Sequence, residues 1–221
     1  MVPGKPVHLL TDELPDDVVM EAPDEKSGFE HAMGMAFGGI PTATLFKGVG
    51  ISHAWDSITN AVVHGTVDGG PVIIVAADDT LAEASTVILD SRSMAAAIDL
   101  AVLEPCTLGQ VTDTVALAAA MSTTVGEPVM IRYTPATADL VATAAELEDE
   151  DDGDDGPAAR VVPMPGLHRA HGMTKPGRHV HRQRFSVPLL RALADGADLI
   201  DEHRGSRVLP TLGRTAVIGF G

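Results

Sequence analysis

Between Val18 and Tyr133, short and nearly all-apolar runs alternate with longer stretches whose apolar residues recur at helical spacing. No other feature of the chain constrains its fold as tightly. Val18–Ala22, Thr42–Phe46, Pro71–Ala77, Ala101–Leu103 and Pro128–Tyr133 read as strands. Glu25–Gly38, Ser52–His64, Ser91–Leu100 and Leu108–Val125 read as helices. Strands this short and this apolar suit a parallel sheet covered on both faces. The expected fold is therefore α/β: an open, mostly parallel sheet with helices on both faces. Ligands of such sheets bind beyond the carboxyl ends of the strands. Glu25, Lys47, Asp78, Asp79, Glu104 and Arg132 all fall at or just past such ends.

Charge narrows the partners. The 221 residues hold 31 acidic against 15 Lys or Arg side chains, a net charge of −16. A surface so acidic repels phosphate, so no nucleic-acid partner is expected. Two readings of the excess Asp stay open, salt adaptation and a GC-rich genome. No apolar run approaches the roughly 20 residues of a membrane span, and Met1–Lys5 has no signal-peptide character; a cytoplasmic protein is expected. Cys106 is the single cysteine. An internal disulfide is thereby excluded, and an iron–sulfur cluster held by this chain is not expected.

Beyond Tyr133 the composition shifts. Residues Glu146–Asp155 carry eight carboxylates in ten positions, the mark of a solvated linker. From Arg160 to Arg184 the sign reverses, with six Lys or Arg, four His and no acid. Pro163, Pro165 and Pro176 argue for an extended basic arm there, followed by a helix near Val187–Ala194. Residues 1–143 are thus expected to form one α/β domain, 144–159 an acidic linker, and 160–221 a basic arm leading toward a following domain.

Five local patterns occur in order: Asp24-Glu25-Lys26-Ser27-Gly28 through Gly34; Lys47-Gly48-Val49-Gly50-Ile51 through Asp56; Ala77-Asp78-Asp79 with Ser85, Asp90 and Arg92; Leu103-Glu104-Pro105; and Gly126-Glu127-Pro128 through Arg132. Together they resemble the pyrimidine-binding (PYR) domain of thiamine-diphosphate enzymes, most nearly the indolepyruvate branch of the 2-oxoacid:ferredoxin oxidoreductases. The resemblance is good over about residues 18–135 and loose over 160–221. It implies a catalytic glutamate at Glu25, which bonds the cofactor's pyrimidine nitrogen and drives the tautomer shift that activates it. It also implies cofactor contacts at Glu25, Gly48 and Val49, with substrate contacts at Lys5 and Arg92. The cofactor would be thiamine diphosphate with Mg²⁺, shared with a partner chain that carries the diphosphate-binding domain, because no GDG…N motif occurs here. Iron–sulfur clusters and coenzyme A would lie on partner chains, including a ferredoxin-type subunit. The implied reaction is oxidative decarboxylation of a small 2-oxoacid, such as indolepyruvate, to an acyl-CoA. Two alternatives stand beside it: the α subunit of a non-oxidative 2-oxoacid decarboxylase, and a non-catalytic assembly or regulatory subunit.

Each candidate has a plainer reading. Glu25 is also a favourable helix-opening acid, and Glu30 is a rival carboxylate one turn on. Gly34, Ala36, Gly38 and Gly39 suit a close partner but equally suit helix-on-sheet packing. Asp78 and Asp79 read first as caps or ion-pair partners, and Arg92 fits a pair with Asp90 or Glu104 as well as a substrate carboxylate. Pro3-Gly4-Lys5-Pro6 resembles the family's substrate-side turn, but Lys5 replaces a small hydroxyl residue, and the strand and helix expected ahead of that turn are missing. His168, His171, His179 and His181 have no Cys or acid among them, so no metal site is expected.

Overall fold

The computed structural model describes residues 14–15, 17–66, 69–81, 85, 87–105, 109–138, 180 and 182–188. Lys5, the acidic run 144–159, the histidines of the basic arm and residues 189–221 lie outside them.

Four strands form one all-parallel sheet in the order β1-β2-β4-β3. They are β1 (Thr42–Lys47), β2 (Val72–Ala77), β3 (Ala101–Leu103) and β4 (Val129–Tyr133). The helices are α1 (Glu25–Phe37), α2 (Gly48–His53), α3 (Trp55–His64), α4 (Ser91–Ala97), α5 (Gly109–Val125) and the short α6 (Pro135–Ala138). The protein is thus an α/β fold, as the alternating pattern implies.

Chain direction decides which face each helix covers. From β1 to β2, and from β2 past β4 to β3, the chain steps one way across the sheet; from β3 to β4 it steps back. Right-handed crossovers place helices of opposite steps on opposite faces. Accordingly, Phe29 and Met33 of α1, Ile51 of α2, Ile58 of α3 and Ala95 of α4 pack on Val72, Ile74, Ala76, Val102 and Met130. On the other face Ala118, Met121 and Val125 of α5 pack on Ile73, Ala101, Leu103, Val129 and Ile131. Alternate strand residues serve the two cores, which is why the strands read as unbroken apolar runs.

Two local readings are corrected. Val18–Ala22 is not a strand. Its Val18 and Met20 are 66% and 56% exposed, and it joins no ladder. Without burial or pairing, nothing offsets the entropy of ordering a strand. The helix expected over Ser52–His64 is two helices, because Ala54 breaks the run: α2 already starts at Gly48, and its carbonyls end on the Ala54 amide. A third difference concerns the basic arm. Arg182–Ser186 is a π-helical turn rather than extended chain, and Arg182, Ser186 and Val187 are buried.

Candidate functional site

Ladder register brings the strand ends into one row. Lys47 stands beside Ala77, Ala77 beside Tyr133, Ala76 beside Arg132 and Leu103 beside Ile131. Whatever follows each strand therefore emerges on the same edge, where α1 also begins.

Asp24 caps α1. Its carboxylate accepts from the Ser27 amide at 2.8 Å and from Ser27 Oγ at 3.1 Å. The amide bond, foremost, holds the Asp24 carboxyl below its usual range. The cap places Glu25 at the first helical position, and its side chain lies along the backbone of α2. A Cβ added to Gly50 would meet Glu25 Cγ at 2.7 Å and Oε1 at 3.2 Å. Gly50 is therefore the floor under this carboxylate. His53, one turn further along α2, meets Glu25 Oε2 through Nδ1 at 2.9 Å. The Glu25 side chain is 16% exposed and that of His53 57%, so a mostly covered acid is linked to an exposed imidazole. Hydrogen bonding to Glu25 raises the His53 pKa, opposed by a smaller desolvation cost.

Glu30 goes elsewhere. It accepts from Ser57 Oγ of α3 at 2.6 Å and lies 4.0 Å from Lys26. Lys26 in turn reaches Asp56 at 3.0 Å. These contacts fasten α1 to α3 and leave Glu25 as the carboxylate facing α2.

Behind the edge lies a charge network. Arg132 is buried; its Nε donates to Asp78 Oδ2 at 2.6 Å, and its Nη1 donates to Glu104. Asp78 Oδ2 also accepts from the amide and hydroxyl of Ser91, both at 2.9 Å. Asp78 Oδ1 is buried, accepts no hydrogen bond, and presses on Gly48, where an added Cβ would overlap it. Arg92 grips Asp90 through Nε at 2.9 Å and Nη2 at 2.7 Å, and lies 3.6 Å from Glu104. The Arg92 hydrogen bond holds Asp90 below the carboxylate range, and Asp90 raises Arg92 in return. Asp79 accepts from the Ser85 amide at 2.7 Å.

Among the sequence candidates, Glu25, Gly48 and Val49 therefore come together at α1 and α2. Val49 is half-buried, and its carbonyl accepts from Ser52 Oγ at 2.6 Å. Arg92 sits in the neighbouring network, engaged by carboxylates. Two residues of the site escaped the sequence reading. Gly50 was visible only as part of a glycine pair, and His53 carried no signal, because its reach depends on where α2 ends. Among the described residues no group of three His, Cys, Asp or Glu side chains gathers as metal ligands. No helix among them is long and apolar enough to cross a membrane.

The fold and these side chains define an α/β domain that carries a largely buried glutamate over a glycine floor at the carboxyl edge of its sheet. No family model matches the chain. Over 138 residues it is 33% identical to the indolepyruvate oxidoreductase subunit IorA of Pyrococcus abyssi, a stretch covering 60% of this chain and 21% of that relative. The same subunit of Pyrococcus horikoshii gives the same identity and coverage. That of Thermococcus kodakarensis is 38% identical over 109 residues, 47% of this chain and 16% of the relative. The similarity thus spans about a fifth of the length of these relatives.

Proposed function

We propose that this chain is the pyrimidine-binding part of a thiamine-diphosphate-dependent 2-oxoacid oxidoreductase and works as a subunit with partner chains. One observation carries the reading. Glu25, placed at the start of α1 by the Asp24 cap, lies over Gly50 at the ligand-binding edge of a parallel sheet, in a chain similar to subunits named indolepyruvate oxidoreductase.

The residues present fit the pyrimidine half of the cofactor. A Cβ at Gly50 would fill the space in which Glu25 lies, so glycine there lets the carboxyl group sit against α2 at the edge of the sheet. When bound, thiamine diphosphate supplies an electron sink for breaking the bond to a 2-oxoacid's carboxylate. Glu25 takes or gives a proton at Oε1, the oxygen that His53 does not engage. Gly50 holds the backbone of α2 close beneath it, while Gly48 makes room for Asp78. The Asp78–Arg132–Glu104 network keeps β2, β3 and β4 in the register that forms this edge. Arg92 is bonded to Asp90, so a substrate carboxylate at Arg92 competes with that partner. Mg²⁺, the diphosphate, coenzyme A and iron–sulfur clusters belong on this reading to partner chains, one with a diphosphate-binding domain and one of ferredoxin type.

Glu25→Gln in the reconstituted complex tests the proposal. The change keeps size and removes the exchangeable proton, so turnover should fall by about 10²-fold or more with assembly intact. Glu30→Gln, which keeps an oxygen to accept from Ser57 and loses only the charge near Lys26, should cost far less. Near-normal activity in both variants would favour a non-catalytic subunit. Coenzyme-A-independent release of an aldehyde would favour the non-oxidative decarboxylase.

A further inference from the structure

Glu25 is not free in this fold, and what holds it is a titratable group. His53 stands at the end of α2 with Nδ1 2.9 Å from Glu25 Oε2. The helix break at Ala54 ends α2 beneath Glu25. Gly50 removes the side chain that would otherwise keep Glu25 from lying across α2.

We propose that His53 is a positioning residue for Glu25: its imidazolium clamps the carboxylate across α2, and loss of its proton releases the carboxylate to meet a ligand ring. The inference rests on the functional reading above and adds a control that the reading does not contain.

Charge around the pair supports the clamp. Glu25 and Asp24, both from α1, favour the protonated imidazole, and Lys26, also from α1, opposes it. Lys26 is itself drawn off by Asp56 of α3 at 3.0 Å. Asp78, at the end of β2, faces the other end of α2 at Gly48 and is engaged by Arg132 of β4. The carboxyl-terminal position of His53 in α2 adds a favourable dipole end for a cation. Exposure completes the device. His53 is open to solvent, while Glu25 is mostly covered. The sign follows: His53 is raised above its ordinary value, so the clamp is closed below the raised pKa and opens as pH rises through it.

The test combines a spectroscopic and a kinetic readout. In the full chain, histidine side-chain NMR should show one resonance, absent in His53→Gln, titrating above the ordinary histidine value. Glu25→Gln should bring that titration back down. In the reconstituted complex, kcat/KM for thiamine diphosphate should carry an acid limb set by His53, falling by about tenfold per pH unit below its pKa. His53→Gln, which keeps a hydrogen-bonding group but cannot titrate, should flatten that limb. An unshifted His53 titration, or superimposable profiles for wild type and His53→Gln, overturns the clamp. Full turnover by Glu25→Gln overturns the functional reading instead, so the two failures are told apart.

Discussion

Gly48 and Gly50 are glycines for different reasons, and one substitution separates them. At Gly50 the crowding atoms belong to Glu25, a side chain that can swing away. At Gly48 they belong to Asp78, pinned by Ser91 and Arg132. Gly50→Ala should therefore leave the thermal midpoint little changed while removing the His53–Glu25 contact, seen as a fall of the His53 pKa toward its ordinary value. Gly48→Ala should instead lower the midpoint clearly, because the buried network must shift. Equal midpoints for the two variants would show that the Asp78 network does not constrain α2. A paired glycine motif announces close backbone approach in a sequence, but it does not say to what; Glu25 lies 25 positions from Gly50 and Asp78 lies 30 from Gly48, in different elements.

At the scale of elements, α5 is tied to the sheet by one hydroxyl. Ser122 Oγ donates to the Glu127 carbonyl at 2.7 Å and accepts from the Val72 amide at 2.9 Å. It thus joins the end of α5, the approach to β4 and the first residue of β2. Ser122 is fully buried, so Ser122→Ala strands a buried amide and a buried carbonyl. The expected loss is about 1–3 kcal/mol, measurable by urea unfolding with an unchanged m-value. The existence and order of β1–β4 and of α1, α4 and α5 were readable from periodicity, since each buries an apolar face. The failures fall where periodicity is mute. Val18–Ala22 has strand-like residues but no ladder to join, and the break at Ala54 leaves the apolar spacing undisturbed.

At the scale of the whole molecule, Arg182 fastens a distant stretch of chain to the amino-terminal end of the sheet. Its Nε donates to Glu127 Oε2 at 2.9 Å and its Nη2 to the Asp99 carbonyl at 2.6 Å. Asp99 takes the left-handed backbone conformation, φ 51°, that offers this carbonyl. Burial raises the Glu127 carboxyl above its usual range, with Arg182 pulling the other way. Removing the guanidinium leaves a buried charge uncompensated, so Arg182→Ala should cost about 3–5 kcal/mol near neutral pH. The native state binds the Glu127 proton more readily than the unfolded chain does, so this group favours folding below its unfolded pKa, and that benefit fades as pH rises through the native value. The variant, lacking the guanidinium, should accordingly show a smaller deficit near pH 4 than near pH 7 in paired urea titrations. A deficit that does not vary with pH would mean that Glu127 is not what Arg182 compensates.

The amino-acid sequence by itself determined the α/β class, the strands of the sheet and the ordered motifs that single out Glu25, because those follow from local periodicity and from residue types at set spacings. Tertiary structure alone decided the partners. That Glu25 rests on Gly50 and is held by His53, that Gly48 yields to Asp78, and that Arg182 is a buried tie rather than part of an extended arm all depend on where separate elements end and which faces meet. Hydrogen bonds and ion pairs act over a few ångströms, and the residues that come that close here are separated by as many as 83 positions along the chain.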